Sequence, residues 1–176
     1  VALITSNPFP WGSGTYTATM NAVFGAGNWD LFDFNVNAAT VFSRNYRLVY
    51  VDGGDFAANA FNTFVGNNNN LIESWVTCGG RLFLNAAPNQ GGNINLGFGG
   101  VVIQYPAFTS NVIQAIPHAI FNGPFLPTGA TYSGTFYGHS LVGPPTMKTI
   151  IRENGGTNGT VLAESFWGGG LVLFGG

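Results

Sequence analysis

Two imidazoles, His118 and His139, and one thiol, Cys78, are the groups best suited to nucleophilic or acid–base chemistry, with Glu73, Glu153, Glu164 and four aspartates as partners. A thiolate is activated by a neighbouring base or cation, so Cys78 with His118 or His139 would be the enzyme-like arrangement, a hydrolase or an amidotransferase. Nothing cationic adjoins Cys78 in sequence. Free cysteine is among the most buried residue types, so a small packed residue is expected there. No Gly-x-Ser-x-Gly elbow offers a serine instead. Asp52 and Asp55 flank two glycines after a strand-like run. They could hold Ca2+ through carboxylate and carbonyl oxygens, although aspartate is also an ordinary turn residue. No other cofactor is expected. Trp11-Gly12-Ser13-Gly14-Thr15 precedes a helical pattern, placing Ser13 and Thr15 where helix N–H groups can receive an anion. The candidate binding residues are therefore Ser13, Thr15, Asp52, Asp55, His118 and His139, and none is assigned a catalytic role. Asn158-Gly159-Thr160 makes Asn158 a glycosylation acceptor. Trp11, Trp29 and Trp167 could include a stacking platform for a sugar, whereas Trp75 reads as core.

These residues need elements to position them. Val1 to Thr5 reads as a buried strand, and Tyr16, Met20, Val23 and Phe24 fall on one helical face ended by Gly25. Trp29 to Phe34 and Tyr46 to Val51 read as strands, and Phe56 to Val65 returns to helical spacing until Asn67 to Asn70 interrupt it. Asn70 with Glu73 resembles a capping box for a second helix carrying Leu71, Ile72, Trp75 and Val76, before the strand Arg81 to Leu84. Beyond it, Gly99 to Tyr105, Thr131 to Phe136, Lys148 to Arg152, Val161 to Phe166 and Leu171 to Phe174 read as strands. Ser110 to Ile116 is expected to form a short helix. The expected fold is a single α/β domain over residues 1–176. It has three layers: a mainly parallel sheet, helices on both faces, and antiparallel hairpin strands in the C-terminal half.

Composition narrows the function. Hydrophobic residues make up 45% of the chain, enough apolar surface to offset ordering entropy. Only 7% are charged, against a typical figure of about 25%. The five basic residues form no run, so nucleic acid is not an expected partner. No apolar stretch approaches the roughly 20 residues of a membrane-spanning helix, so no direct membrane insertion is expected. A net charge of −2 leaves little repulsion between copies, and self-association is tolerated. An Asn- and Gly-rich, charge-poor surface with one lysine points to an extracellular or cell-surface setting. The abrupt ends suggest a segment of a longer protein.

Tyr50-Val51-Asp52-Gly53-Gly54-Asp55, Leu71 through Leu84, His118-Ala119-Ile120-Phe121-Asn122-Gly123 and the closing Gly168 through Gly176 together resemble the class I glutamine amidotransferase-like, flavodoxin-like superfamily. That resemblance implies a strand-to-helix elbow after Leu84, where Ala86 or Ala87 stands in place of the catalytic cysteine. It also implies a branch resembling domains of large exported bacterial surface proteins. The expected function is a non-catalytic structural or adhesive module, in contact with neighbouring domains of the same polypeptide or with surface and glycan ligands. The alternatives are an enzyme using Cys78 with His118 or His139, and a subunit of an extracellular filament or shell.

Overall fold

The computed structural model describes residues 1–6, 14–156 and 159–176. Ser13, Trp11 and Asn158 lie outside the described residues. Short runs of β-branched and aliphatic residues form β1 (Ala2–Ile4), β3 (Val49–Asp52), β4 (Arg81–Asn85) and β10 (Gly170–Gly175). With the edge strand β2 (Asp30–Phe32) they make a parallel half-sheet in the order β2-β1-β3-β4-β10. The alternation of its residues separates two faces. Ala2, Ile4, Val49, Val51, Leu82, Leu84, Val172 and Phe174 enter one core, while Leu3, Tyr50, Phe83, Leu171 and Leu173 point the other way.

The core face is closed by α3 (Ala58–Thr77), a single helix of 20 residues. The expected break at Asn67 to Asn70 does not occur. Phe61, Phe64, Val65, Ile72 and Val76 keep one buried stripe in register across the asparagines. Burying that stripe outweighs asparagine's modest helix penalty of about 0.7 kcal/mol per residue. Asn68 also returns its amide to the Phe64 carbonyl at 2.8 Å. No capping box forms at Asn70. Glu73 instead accepts the N–H of Phe98 at 2.6 Å, holding a turn in which Phe98 is buried with φ of 48°. The helix ends at Gly79, whose φ of 104° reverses the chain into β4.

Among the described residues two shorter α-helices accompany α3, with 3-10 turns at Asp55–Ala57 and Ala119–Phe121. α2 (Ala38–Phe42), which the periodicity did not reveal, is capped by Asn37 and packs beside α3. α1 (Tyr16–Phe24) forms where expected but buries only Met20; Val23 is half-exposed.

The second half of the chain overturns the expected three-layer architecture. β5 (Ile94–Gly97), β6 (Val101–Gln114), β7 (Thr131–Val142), β8 (Lys148–Glu153) and β9 (Thr160–Trp167) are joined by antiparallel ladders. β6 pairs β7 and β8, and both pair β9, so these four strands close a ring. Antiparallel pairings outnumber the four parallel ones. The fold is thus a mixed sheet whose antiparallel part curls into a small barrel, not a mainly parallel sheet between helical layers. Long twisted strands interrupted by bulges curl in this way. The helix expected over Ser110 to Ile116 is the second half of β6, where Val112 faces Tyr132 on one side and Glu153 on the other. A short run with β-branched Val112 and Ile113 satisfies either period, and the two flanking strands decide in favour of the ladder.

Candidate functional site

A crevice of about 380 Å³ opens past the carboxyl end of the parallel half-sheet. Asp55 reaches it from the turn after β3 and Asn89 from the chain beyond β4; Tyr105, Pro106 and Phe108 come from β6, and His139 from β7. Carboxyl ends of parallel strands are where open α/β sheets present ligand-binding loops. Here the barrel supplies the opposite wall. The β6–β7 register shifts between Ile103 and Phe108, and that irregularity lies across Tyr105 and Pro106. Such a bulge re-aims side chains, and Tyr105 and Phe108 remain 43% and 52% exposed at the crevice.

His139 is held in one tautomer. Its Nδ1 lies 3.3 Å from the Gln104 carbonyl, which can only accept, so Nδ1 carries the proton and Nε2 keeps its lone pair in the neutral ring. Burial pushes the imidazole below its ordinary range, against the smaller raising effects of the Gln104 carbonyl and of Asp55. Phe108 meets the ring edge-on, with centroids 6.2 Å apart. At neutral pH the crevice therefore offers a carboxylate, an amide and a neutral imidazole as hydrogen-bonding groups beside two aromatic surfaces.

Asp52 does not join Asp55 there. It is buried and interacts with the phenol of Tyr50, whose pKa is raised by burial and by Asp52, against the Asn85 amide. Tyr50 stacks on Phe83 at 4.8 Å on the face away from α3. Among the described residues no group of three or more His, Cys, Asp or Glu side chains is placed to hold a metal ion. Thr15 occupies the N-cap of α1, but its hydroxyl does not cap the helix.

His118 lies elsewhere, as part of a polar cluster on the barrel. Its Nε2 is 3.1 Å from Glu164 Oε2, and Lys148 Nζ is 3.1 Å from Glu164 Oε1. Its Nδ1 accepts the Ile120 N–H at 3.2 Å. Both ring nitrogens are thus engaged, and the histidine ties the segment after β6 to β9. Burial raises the Glu164 carboxyl, but the hydrogen bonds from Lys148 and His118 outweigh it and leave the group below its ordinary value.

Cys78, expected to be packed, is exposed at the C-cap of α3. It precedes the amino end of β4, whereas the crevice lies past the carboxyl end. The five residues of that strand separate the two by roughly 16 Å at about 3.3 Å per residue. His139 is therefore out of reach as its base.

Sequence reasoning singled out Asp55 and His139, which the fold brings together. It missed Asn89, Tyr105 and Phe108, and it looked to tryptophans for a stacking surface. Trp29 instead bonds Asn21 and Trp167 packs edge-on against Phe98, while Trp75, expected in the core, packs against it and donates to the Arg44 carbonyl. A proline inside an otherwise strand-like run, at Pro106, was the available signal for the bulge.

No family model matches the chain, and no curated protein matches it. Solved structures share its fold. A β-galactosidase from Bacillus circulans sp. alkalophilus matches 99% of this chain at 12% identity with a TM-score of 0.51. An exo-β-1,4-mannosidase from Opitutaceae bacterium strain TAV5 does so at 11% identity and 0.51. The chain spans only 28% and 30% of those two enzymes. Cytoplasmic protein STM1381 from Salmonella typhimurium LT2 matches 99% of this chain and 86% of its own length, at 14% identity and 0.56. These neighbours and the barrel-forming antiparallel strands overturn the resemblance to the class I glutamine amidotransferase-like, flavodoxin-like superfamily. The reading of Ala86 and Ala87 as an elbow stripped of its cysteine falls with it. Both alanines are buried residues following β4. At these identities the likeness is one of fold alone.

Proposed function

We propose that this chain is a non-catalytic binding module whose crevice takes a neutral carbohydrate. The observation that carries the reading is the half-exposed pair Tyr105 and Phe108 beside Asp55, Asn89 and His139. A pyranose presents an apolar C–H face, which stacks on an aromatic ring, and a rim of hydroxyls, which donate to carboxylate, amide and neutral imidazole acceptors. Pockets of this kind combine aromatic walls with a few placed polar groups. Asp55 is the only carboxylate lining this crevice among the described residues, whereas glycoside hydrolysis ordinarily uses two that flank the bond. That supports binding without turnover. Low charge and a single lysine are the support for an exported, surface-exposed setting.

The test is calorimetric titration with neutral oligosaccharides of glucose, galactose and mannose. Saturable binding that Phe108→Ala and Tyr105→Ala each weaken about tenfold or more is expected, since a lost stacking contact of about 1.4 kcal/mol is a factor of ten. Absence of binding to the whole panel at millimolar sugar, or binding indifferent to both substitutions, would overturn the proposal.

A further inference from the structure

A second concavity lies at the opposite end of the parallel half-sheet and has a different chemistry. It is a groove of about 510 Å³ between the last turn of α1 and the amino ends of β1, β3, β4 and β10. Val23 and Phe24 of α1 and Leu171 and Leu173 of β10 give it apolar walls, and Arg47 and Arg81 stand at its rim. In the β3–β4 register Leu82 pairs Val49; Arg81 begins β4 and Arg47 lies two residues before β3, so the two arginines sit at the same end of adjacent strands.

The charges of this protein make that pair conspicuous. Of five basic residues, Lys148 is paired with Glu164, Arg152 donates to the Glu153 carbonyl, and Arg44 donates to Tyr46. The side chains of Arg47 and Arg81 make no hydrogen bond or ion pair among the described residues. None of the seven acidic side chains lines the groove. Two guanidinium groups with no protein partner among the described residues thus stand at the mouth of an apolar cleft. The guanidinium fork matches a carboxylate or phosphate in two-point geometry. Burying a hydrocarbon chain against leucine, valine and phenylalanine removes apolar surface from water on both sides.

We infer that this groove binds a free single-chain amphiphile, with its anionic head at Arg47 and Arg81 and its hydrocarbon tail along Val23, Phe24, Leu171 and Leu173. A monomeric ligand is the occupant because Phe24, Leu171 and Leu173 are only partly exposed and line a concavity between α1 and the sheet, where a flat bilayer does not follow. The groove's volume lies within the range of about 300–1,000 Å³ common for small-molecule pockets.

The experiment is calorimetric titration with decanoate below its micelle concentration, compared with 1-decanol, which lacks the charge, and acetate, which lacks the tail. Decanoate is expected to bind saturably, and acetate is expected not to compete. The surface pair R47Q/R81Q is expected to weaken decanoate at least tenfold while leaving decanol unchanged. Val23→Ser, at a half-exposed position, is expected to weaken both. Failure of decanoate to saturate, equal binding by R47Q/R81Q, or competition by acetate would each overturn the inference. So would cosedimentation with anionic phospholipid vesicles in the absence of decanoate binding.

Discussion

Replacing Gly53 with alanine places a Cβ 2.4 Å from Cγ and Cδ2 of Phe61 and 2.6 Å from its Cβ. Gly53 follows β3 and fixes the turn that carries Asp55 into the crevice, and its N–H donates to the Asn85 carbonyl at 2.7 Å. Rotating the Phe61 ring about the Cβ–Cγ bond moves Cδ2 but leaves Cγ and Cβ in place, and Cβ is anchored to α3. Phe61 is completely buried, so it has no empty space to enter. Overpacking of a dense core costs about 1–3 kcal/mol, and the fixed Cβ contact places this case near 3. For a chain of this size, 1 kcal/mol lowers Tm by about 2–4 °C, so a drop of about 6–12 °C is expected.

The assay is urea unfolding followed by tryptophan fluorescence, with Gly92→Ala as the control. A Cβ at Gly92 meets nothing within 4 Å, so its effect should stay within about 0.5 kcal/mol. The double substitution Gly53→Ala/Phe61→Ala adds a second check. Phe61→Ala removes Cγ and Cδ2, the two nearest atoms, and leaves only the Cβ contact, so the double variant should be less destabilised than the sum of the singles by about 0.5–3 kcal/mol. A Gly53→Ala protein as stable as Gly92→Ala, or strict additivity in the cycle, would refute the packing argument.

Two pH responses follow from the histidine and glutamate environments. Glu164 has a folded pKa below 4.5, so its ion pairs stabilise the fold fully above that pH, and the contribution is lost as pH falls through the folded value. Urea midpoints of wild type and Glu164→Gln should therefore differ at pH 7 and converge below pH 4.5; a gap that persists unchanged to pH 3 contradicts this. His139 has a folded pKa below 6.5, so between pH 6.5 and that lower value the unfolded chain binds the extra proton and stability falls on acidification. His139→Gln should remove that decline within the window, and an identical slope in the variant would show that another group is responsible.

Local pattern was informative wherever one element satisfies its own periodicity. The strand Val1 to Thr5, the helix beginning at Tyr16, and the strands at Lys148, Val161 and Leu171 carry alternation or helical spacing that survives into β1, α1, β8, β9 and β10. Charge scarcity, the lone thiol and the absence of a basic run were equally plain from composition. For the candidate site, Asp55 and His139 could be proposed as individual side chains. That they share a crevice could not be read, because 84 residues separate them and no local rule encodes their meeting.

Tertiary structure decided the rest, for reasons of pairing and packing. Ser110 to Ile116 became strand because β7 and β8 offered ladders on both edges, a choice between two periods that the segment itself leaves open. The asparagines at 67–70 stayed helical because Phe61, Phe64, Ile72 and Val76 required one continuous buried face. The closure of β6, β7, β9 and β8 depends on strand partners far apart in the chain, and it turned an expected parallel layered sheet into one with a barrel. The same closure sets Tyr105 and Phe108 opposite Asp55. Residue types and short-range spacing thus came from the sequence alone, whereas which distant strands pair, and hence which side chains face one another, came from the free energy of the whole packed sheet.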